Sequence, residues 1–319
     1  DILRLELANQ VSFLNRAALY NLIHSAPAGS HLLIDATETD YIDPDVLSMI
    51  REFKEKTAPA RGIKVSLQGF RSKYQLHDEI QFADHSTREL LDRVTPQLVL
   101  DIMREGNRRF RTGKRLSRDF KRQVDSTALE QNPLAAVLSC IDSRVPAELV
   151  FDLGIGDIFS VRVAGNVVGT KSLASIEYGV SATGLKLVLV LGHTRCGAVT
   201  SSVDLISRHE DVTQATGSTH LSAIVNEIAP SVHPEDAERY QSLDQAEKER
   251  VVNAVAKRNV LHTVKEIIAR SKLIRDAMEA GQVMVVGALY DVRSGAIDFF
   301  TEMDDEQEEV AGSIADHAE

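Results

Sequence analysis

The sequence predicts an α/β protein built as two units. A small α/β domain over residues 1–75 precedes a larger one over 96–300, with a mainly parallel central sheet and an antiparallel edge strand. Three observations carry this. Strand-like and helix-like stretches alternate through both parts, as βαβ units require. Two stretches in the larger part, Leu134–Ser139 and Leu187–Gly192, are continuous apolar runs bounded by turn residues, the pattern of parallel strands covered on both faces. Near the end, Arg293-Ser294-Gly295-Ala296 reads as a turn that returns Val283–Tyr290 into Ile297–Phe300, an antiparallel edge.

A chain of 319 residues, 43% of them apolar, suits two domains with cores of their own. The net charge of −11 speaks against a general nucleic-acid binder. Residues 301–319 hold eight Asp and Glu and no Lys or Arg, and are expected to be a solvated, disordered tail. With only two cysteines and no signal peptide ahead of them, a reducing, cytoplasmic setting with free thiolates fits better than a single disulfide. No run of about 18 apolar residues is present, so the chain itself is not expected to cross a membrane. It opens on Asp1-Ile2-Leu3-Arg4-Leu5-Glu6-Leu7, without Met and already inside a strand-like alternation, which predicts a piece of a longer protein.

In the first unit, Leu3, Leu5 and Leu7 alternate with Arg4 and Glu6 as in a half-buried strand. A short helix is expected over 15–23 and a second strand over His31–Ile34. A helix follows over 45–53, with Val46, Met49, Ile50 and Phe53 on one face and Asp43 or Asp45 as its cap. Gly62–Leu67 makes the third strand. This order, with Leu32-Leu33-Ile34-Asp35, then Asp40 to Leu47 (Asp40-Tyr41-Ile42-Asp43-Pro44-Asp45-Val46-Leu47) and Arg61-Gly62-Ile63-Lys64-Val65, resembles a STAS domain, in particular the one at the cytoplasmic end of SulP-type anion transporters. Many STAS domains carry a phosphorylatable Ser or Thr after the aspartate matching Asp43. Pro44 and Asp45 stand there in this chain, so a helix cap, rather than a phosphorylation switch, is expected.

Residues 76–95 are polar and weakly periodic and read as a linker. An amphipathic helix follows over 98–110, with Leu98, Ile102 and Phe110 as packing candidates. Nine Lys or Arg fall between Arg104 and Arg122, but no aromatic ladder accompanies them for base stacking, so a solvated or subunit-contacting arm is expected. Further on come a strand at Asp157–Val163 and a helix through Leu173, Ile176 and Val180. Shorter helices are expected over 196–208 and 219–229, and a long one over 246–270 with Val251, Val255, Val260, Val264, Ile267 and Ile268 at core spacing.

The chemistry lies just beyond the two apolar strands. Cys140-Ile141-Asp142-Ser143-Arg144 follows the first, and His193-Thr194-Arg195-Cys196 follows the second. In open α/β sheets, sites form at the carboxyl ends of neighbouring strands where strand order reverses. Two cysteines and one histidine delivered there supply three legs of a tetrahedral zinc site, with the fourth left for water or a carboxylate. An open position lowers the pKa of a bound water to about 7. Asp142 stands near enough to reach the metal or its water, and Arg144 could hold it through a bidentate contact. Against this stand simpler readings: small buried cysteines, a satisfied strand-end histidine, or a redox pair of Cys140 and Cys196.

The complete pattern, Cys-x-Asp-Ser-Arg and then His-x-x-Cys, resembles the β-class carbonic anhydrases. The likeness extends to Val145-Pro146, Asp152-Leu153-Gly154, Gly156-Asp157, Val161 to Asn166, Ser175 to Tyr178 and Gly192 to Gly197. It implies zinc ligands Cys140, His193 and Cys196, a catalytic dyad of Asp142 and Arg144, and interconversion of carbon dioxide and bicarbonate. Gln131 matches a glutamine that one branch uses to hydrogen-bond substrate, and the Gly197 N–H would be a second donor. Another branch has an accessory bicarbonate site and a tryptophan three residues before the first cysteine. Val137 stands there, so that site is not expected, and an open zinc site is. The family also implies a homodimer. Together the two resemblances imply the cytoplasmic part of a bicarbonate-transporting SulP-like protein, held at the inner face of the membrane by its membrane domain. The alternative is a catalytically silent, zinc-containing module that senses bicarbonate for the transporter; intact Asp142, Arg144 and Gln131 speak against it.

Overall fold

The structure, a computed structural model, describes residues 2–70, 74, 86–116, 118 and 120–300. The acidic stretch 301–319 and most of 71–85 lie outside the described residues. The chain divides into two compact units, residues 1–84 with 117–119, and 85–116 with 120–319.

In the first unit, strands β1 (Ile2–Glu6), β3 (His31–Asp35) and β5 (Lys64–Gln68) form a parallel sheet in the order β1-β3-β5. A small pair, β2 (Gln10–Val11) and β4 (Tyr41–Ile42), lies beside it in sequence. Helix α1 (Arg16–His24) connects β2 to β3. Helix α2 (Pro44–Glu52), with α3 (Ala58–Ala60), leads to β5. Asp43 caps α2 by accepting the Asp45 N–H at 2.9 Å, and Pro44 fits the first helical turn, where its missing N–H costs nothing. Val46, Met49, Ile50 and Phe53 then turn inward together, onto Leu32, Ile34 and Leu67.

In the second unit, α4 (Arg88–Arg93), α5 (Pro96–Arg111) and α6 (Phe120–Thr127) precede the sheet. Helix α4 falls inside the stretch expected to be a linker, and Leu91 and Val94 beside it are buried in this unit's core. On α5 the buried residues are Val99, Leu100, Met103, Gly106 and Asn107, whereas Leu98 is exposed. Ile102 and Phe110 pack against the same core, as expected, so of the three predicted packing residues only Leu98 turns outward. Arg108 and Arg111 are exposed, whereas Arg109 turns in to the buried Asp152 carboxylate, 2.6 Å away.

The five-stranded sheet has the order β10-β9-β8-β6-β7. Its strands are β6 (Ala135–Ser139), β7 (Ile158–Arg162), β8 (Leu187–His193), β9 (Met284–Tyr290) and β10 (Ile297–Phe300). All pairings are parallel except β9 with β10, which is antiparallel, as the turn at 293–296 predicts. Every residue of β6 and β8 is buried. Their side chains alternate between two cores. Ala135, Val137, Leu187 and Leu189 pack with Leu100, Met103 and Phe151, and Ala136, Leu138, Val188 and Val190 pack with Ile176, Val260 and Ile267. Each valine, leucine or isoleucine among them contributes about 1.5–3 kcal/mol when fully buried.

Around the sheet run α7 (Ala147–Val150), α8 (Thr170–Tyr178), α9 (Gly197–Ser207), α10 (Val212–Thr216), α11 (Leu221–Ile228), α12 (Pro234–Tyr240), α13 (Gln245–Arg270) and α14 (Lys272–Glu279). The 26-residue α13 starts at a reciprocal cap between Asp244 and Glu247 and packs over β8 and β9. It comes close because Gly192 and Gly287, on those two strands, leave room for Val260. The chain runs from β6 to β7 on one side, then crosses back to β8 on the other. The reversal point therefore lies between the carboxyl ends of β6 and β8.

Candidate metal centre

The register β6–β8 pairs Ser139 with Leu191, so Cys140 leaves the end of β6 level with Gly192, while β8 runs on to His193, still paired with Tyr290 of β9. Cys196 then caps the start of α9. One ligand atom from each of Cys140, His193 and Cys196 lies within 4.8 Å of the others, and all three residues are buried. Among the described residues this is the one such group.

The two sulfurs are 3.9 Å apart. A hydrogen bond from Cys196 pulls the Cys140 thiol far below its ordinary pKa, while Cys196, keeping the shared proton beside a thiolate in a dry setting, is pushed far above it. The Gly165 N–H, 3.4 Å away, also donates to Cys140 Sγ. His193 Nδ1 lies 3.0 Å from the Thr194 carbonyl oxygen, which can only accept. The proton therefore sits on Nδ1 and leaves the Nε2 lone pair free. That Nε2 is buried and, among the described residues, has no hydrogen-bond partner. A lone pair facing two sulfurs, one of them readily ionised, fits a thiophilic dication.

Asp142 and Arg144 meet as the spacing predicts. Asp142 Oδ1 accepts from Arg144 N at 2.9 Å and Nε at 3.0 Å, and Oδ2 accepts from Nη2 at 2.8 Å. Hydrogen bonding to Arg144 holds the Asp142 carboxyl down at about 2, so it is ionised at neutral pH. Its Oδ2 is 3.9 Å from His193 Nε2. Gly197, exposed, is the first residue of α9, where backbone N–H groups lack intrahelical acceptors. Gln131 is not brought to the cluster. It is exposed ahead of β6, whose five residues, about 16 Å of strand, separate it from Cys140.

Several supporting contacts escape sequence reasoning. Arg162, at the end of β7, donates to the carbonyls of Cys140 (3.0 Å) and Asp142 (2.6 Å) and fixes that loop. Asn259 of α13 donates to the Gly165 carbonyl at 2.7 Å. Arg195 takes a left-handed backbone, φ 57°, a conformation that costs a non-glycine residue about 1 kcal/mol. The signal for Arg162 was its place within a motif already singled out; nothing local pointed to Asn259.

The family model described as carbonic anhydrase matches residues 135–297. Carbonic anhydrase 2 of Mycobacterium tuberculosis is 34% identical over 203 residues, 63% of this chain and 90% of that protein. The carbonic anhydrase of Mycolicibacterium smegmatis is 33% identical over 212 residues, 66% of this chain and 96% of that one. Among solved structures, a β-carbonic anhydrase of Aspergillus fumigatus aligns with 60% of this chain and 88% of its own, at 25% identity and a TM-score of 0.48. With about half of its length under the family model and nearly the full length of two relatives matched, the chain belongs to the carbonic anhydrase family and is a lyase of its β class.

Proposed function

We propose that Cys140, His193 and Cys196 hold one zinc ion and that carbon dioxide is hydrated beside it by Asp142 and Arg144, in the cytoplasmic part of a SulP-like bicarbonate transporter. The observation that carries the metal reading is the buried, unpartnered Nε2 of His193, aimed among two cysteine sulfurs. Two thiolates and a neutral imidazole are the donor set of a catalytic zinc that keeps one position open. Bound there, zinc supplies a Lewis acid that brings the pKa of a water down to about 7 and so makes hydroxide at neutral pH.

The chain does the rest. Asp142, kept ionised, accepts a hydrogen bond from the attacking O–H and aims its oxygen at the carbon of carbon dioxide. Arg144 holds both Asp142 oxygens, which favours the open site over a carboxylate bound to the metal. The Gly197 N–H donates to a substrate oxygen, so charge developing there meets a fixed dipole. Each hydration, carbon dioxide plus water to bicarbonate, releases one proton to solvent.

Gln131 enters this reading from a second copy of the chain. Phe120 and Val124, one turn apart on α6, are exposed, as are Leu129 and, next to the Cys140 ligand, Ile141. A homodimer over these residues would cover them. The first unit is taken as a STAS-like domain that tethers the enzyme to the membrane part; its βαβαβ order supports that.

Stopped-flow carbon dioxide hydration, with zinc measured on the same sample, tests the core of the proposal. Turnover with about one zinc per chain is expected. Zinc without turnover would favour the silent bicarbonate-sensing module, and a metal-free folded chain would overturn the ligand set. For the tether, an antibody to the chain should find it in washed membranes within a longer polypeptide. Recovery only as a soluble species of this length would overturn it.

A further inference from the structure

Arg195 stands between the two ligands of its turn, His193 and Cys196, and is held from three sides. Its N–H donates to Asn253 Oδ1 at 2.8 Å. Its guanidinium makes two parallel contacts to the Glu249 carboxylate, Nε to Oε1 and Nη2 to Oε2, both 2.7 Å. Its carbonyl accepts from Arg144 Nη2 at 3.3 Å, the same nitrogen that grips Asp142. Glu249 and Asn253 are four residues apart on α13 and so share one face of that helix. Arg293, in the turn after β9, lies 3.7 Å from Glu249 and steadies it further.

We infer that Glu249 and Asn253 form a latch that locks the left-handed turn at Arg195, and thereby sets both the position of Cys196 and the orientation of the Asp142–Arg144 pair. The inference rests on the zinc reading above. Neither residue touches a ligand atom, so both are positioning residues. The chemistry explains why two anchors are used. The φ of Arg195 is one that a non-glycine residue leaves readily, so the turn keeps it only while both its backbone and its side chain are held. Asn253 holds the backbone and Glu249 the side chain. If either lets go, the Arg195 carbonyl rotates, Arg144 loses its third contact, and Cys196, the next residue, moves off the position its sulfur shares with Cys140 and His193. Metal release is therefore where the loss will show, because outer contacts of this kind govern affinity by about 10–100-fold.

The test uses the full chain with four substitutions: Asn253→Leu, Asn253→Asp, Glu249→Leu and Arg195→Gly. Zinc release to excess chelator is timed, and the visible spectrum of the cobalt-substituted protein is recorded, at a temperature where circular dichroism shows each variant folded. Asn253→Leu and Glu249→Leu should release zinc about tenfold faster and alter the cobalt bands. Asn253→Asp, which keeps an acceptor oxygen, should restore wild-type release. Arg195→Gly adopts a positive φ without strain, so it folds even where a helix variant does not. It keeps the Asn253 contact and loses the Glu249 one, and its release should fall between the two. Wild-type release and an unchanged cobalt spectrum in the folded leucine variants would overturn the latch, as would Asn253→Asp releasing as fast as Asn253→Leu. A wild-type chain that holds no zinc removes the metal reading and the latch with it, whereas a zinc-bearing wild type with indifferent variants removes the latch alone.

Discussion

One added methyl at Gly192 should disturb the metal centre from behind. Gly192 is the last but one residue of β8, and His193 follows it. A Cβ there would come inside the 3.0 Å that real Cβ contacts respect against Val260 Cγ2, and would meet Leu289 Cδ1 at 3.4 Å and Asn166 Oδ1 at 3.5 Å. Carbon atoms pack at about 3.5–4.0 Å, so strand and helix would have to part by roughly 1 Å. Val260 has no free direction in which to swing: it is wholly buried, and a Cβ at Gly287 would meet its other methyl at 2.8 Å. Overpacking of this kind costs about 1–3 kcal/mol. In a domain of this size each kcal/mol lowers Tm by about 2–4 °C, so Gly192→Ala should melt about 2–12 °C early. Val260→Ala alone loses about 1.6 kcal/mol of burial plus a cavity penalty. Combined, the two should couple, the new methyl filling the emptied space, so that the double variant is about 1–2 kcal/mol more stable than the sum. Urea unfolding of the four proteins reads the coupling. Zinc content should fall in Gly192→Ala and recover in the double variant, because the strand carries His193. Additive losses, or a Gly192→Ala protein that melts with the wild type, would refute the close approach of α13 as the constraint on this strand.

Three further substitutions have expected outcomes. Asp142→Asn should keep its zinc and lose a hundredfold or so in kcat/KM, since a neutral amide cannot serve as the same acceptor; unchanged turnover would remove Asp142 from the chemistry. Cys196→Ser should lose metal and thermal stability together, and a fully metallated variant with wild-type Tm would break the ligand assignment. Asp236 of α12 accepts from Arg239 of the same helix at 2.7 Å and from Arg258 of α13 at 2.6 Å. Burial pushes its carboxyl up, but these two hydrogen bonds together bring it below its ordinary value. A depressed folded pKa gives stability that is fully present above the unfolded value of about 3.9 and is lost as pH falls through the lower folded one. Asp236→Asn should therefore cost about 1–3 kcal/mol at pH 7 and progressively less below pH 4, by denaturant melts; a pH-independent deficit would deny the ionic part of the contact.

What sequence could reveal was local. Leu134–Ser139 and Leu187–Gly192 are legible as buried parallel strands because every position must be apolar. Their ends are legible as a site through the complete pattern, Cys140-x-Asp142-Ser143-Arg144 and then His193-x-x-Cys196, since buried cysteines and a strand-end histidine alone would suit an ordinary core. The Asp142–Arg144 contact was equally readable, being two residues long. Helix α4 was not, because its six residues bury only a short stretch and show no periodicity amid polar neighbours. Nor was the full inward stripe of α5, which includes Gly106 and Asn107. Gly106 lies so close to the Phe151 carbonyl that a side chain would not fit, and Asn107 donates to the carbonyls of Val150 and Gly295. A glycine and an asparagine at core positions carry no hydrophobic signal. The braces around the metal centre span longer gaps still, 54 residues from Arg195 to Glu249 and 94 from Gly165 to Asn259. Polar pairs of that separation leave no periodic trace. Only the folded sheet, with α13 laid over it, brings them together.

On the zinc reading proposed above, folding and metal binding form one equilibrium. Without a cation, the chain must bury two sulfurs 3.9 Å apart with a shared proton, beside an imidazole nitrogen that has no donor. Each of those groups is paired with water in the unfolded chain, so burying them bare works against folding. A dication reverses the balance: both thiols can ionise, and the free lone pair gains a partner. A metal present at about a thousand times its Kd adds about 4 kcal/mol to stability by mass action, which corresponds to about 8–16 °C in Tm. Stripping the protein with a chelator should therefore lower the melting temperature of the second unit by that order, and adding zinc back should restore it. The first unit, whose core contains no cysteine, should melt at the same temperature in both states if it unfolds separately. Equal melting of stripped and zinc-loaded protein across the whole chain would mean that Cys140, His193 and Cys196 are content without a metal, and the reading of the unpartnered histidine nitrogen would be wrong.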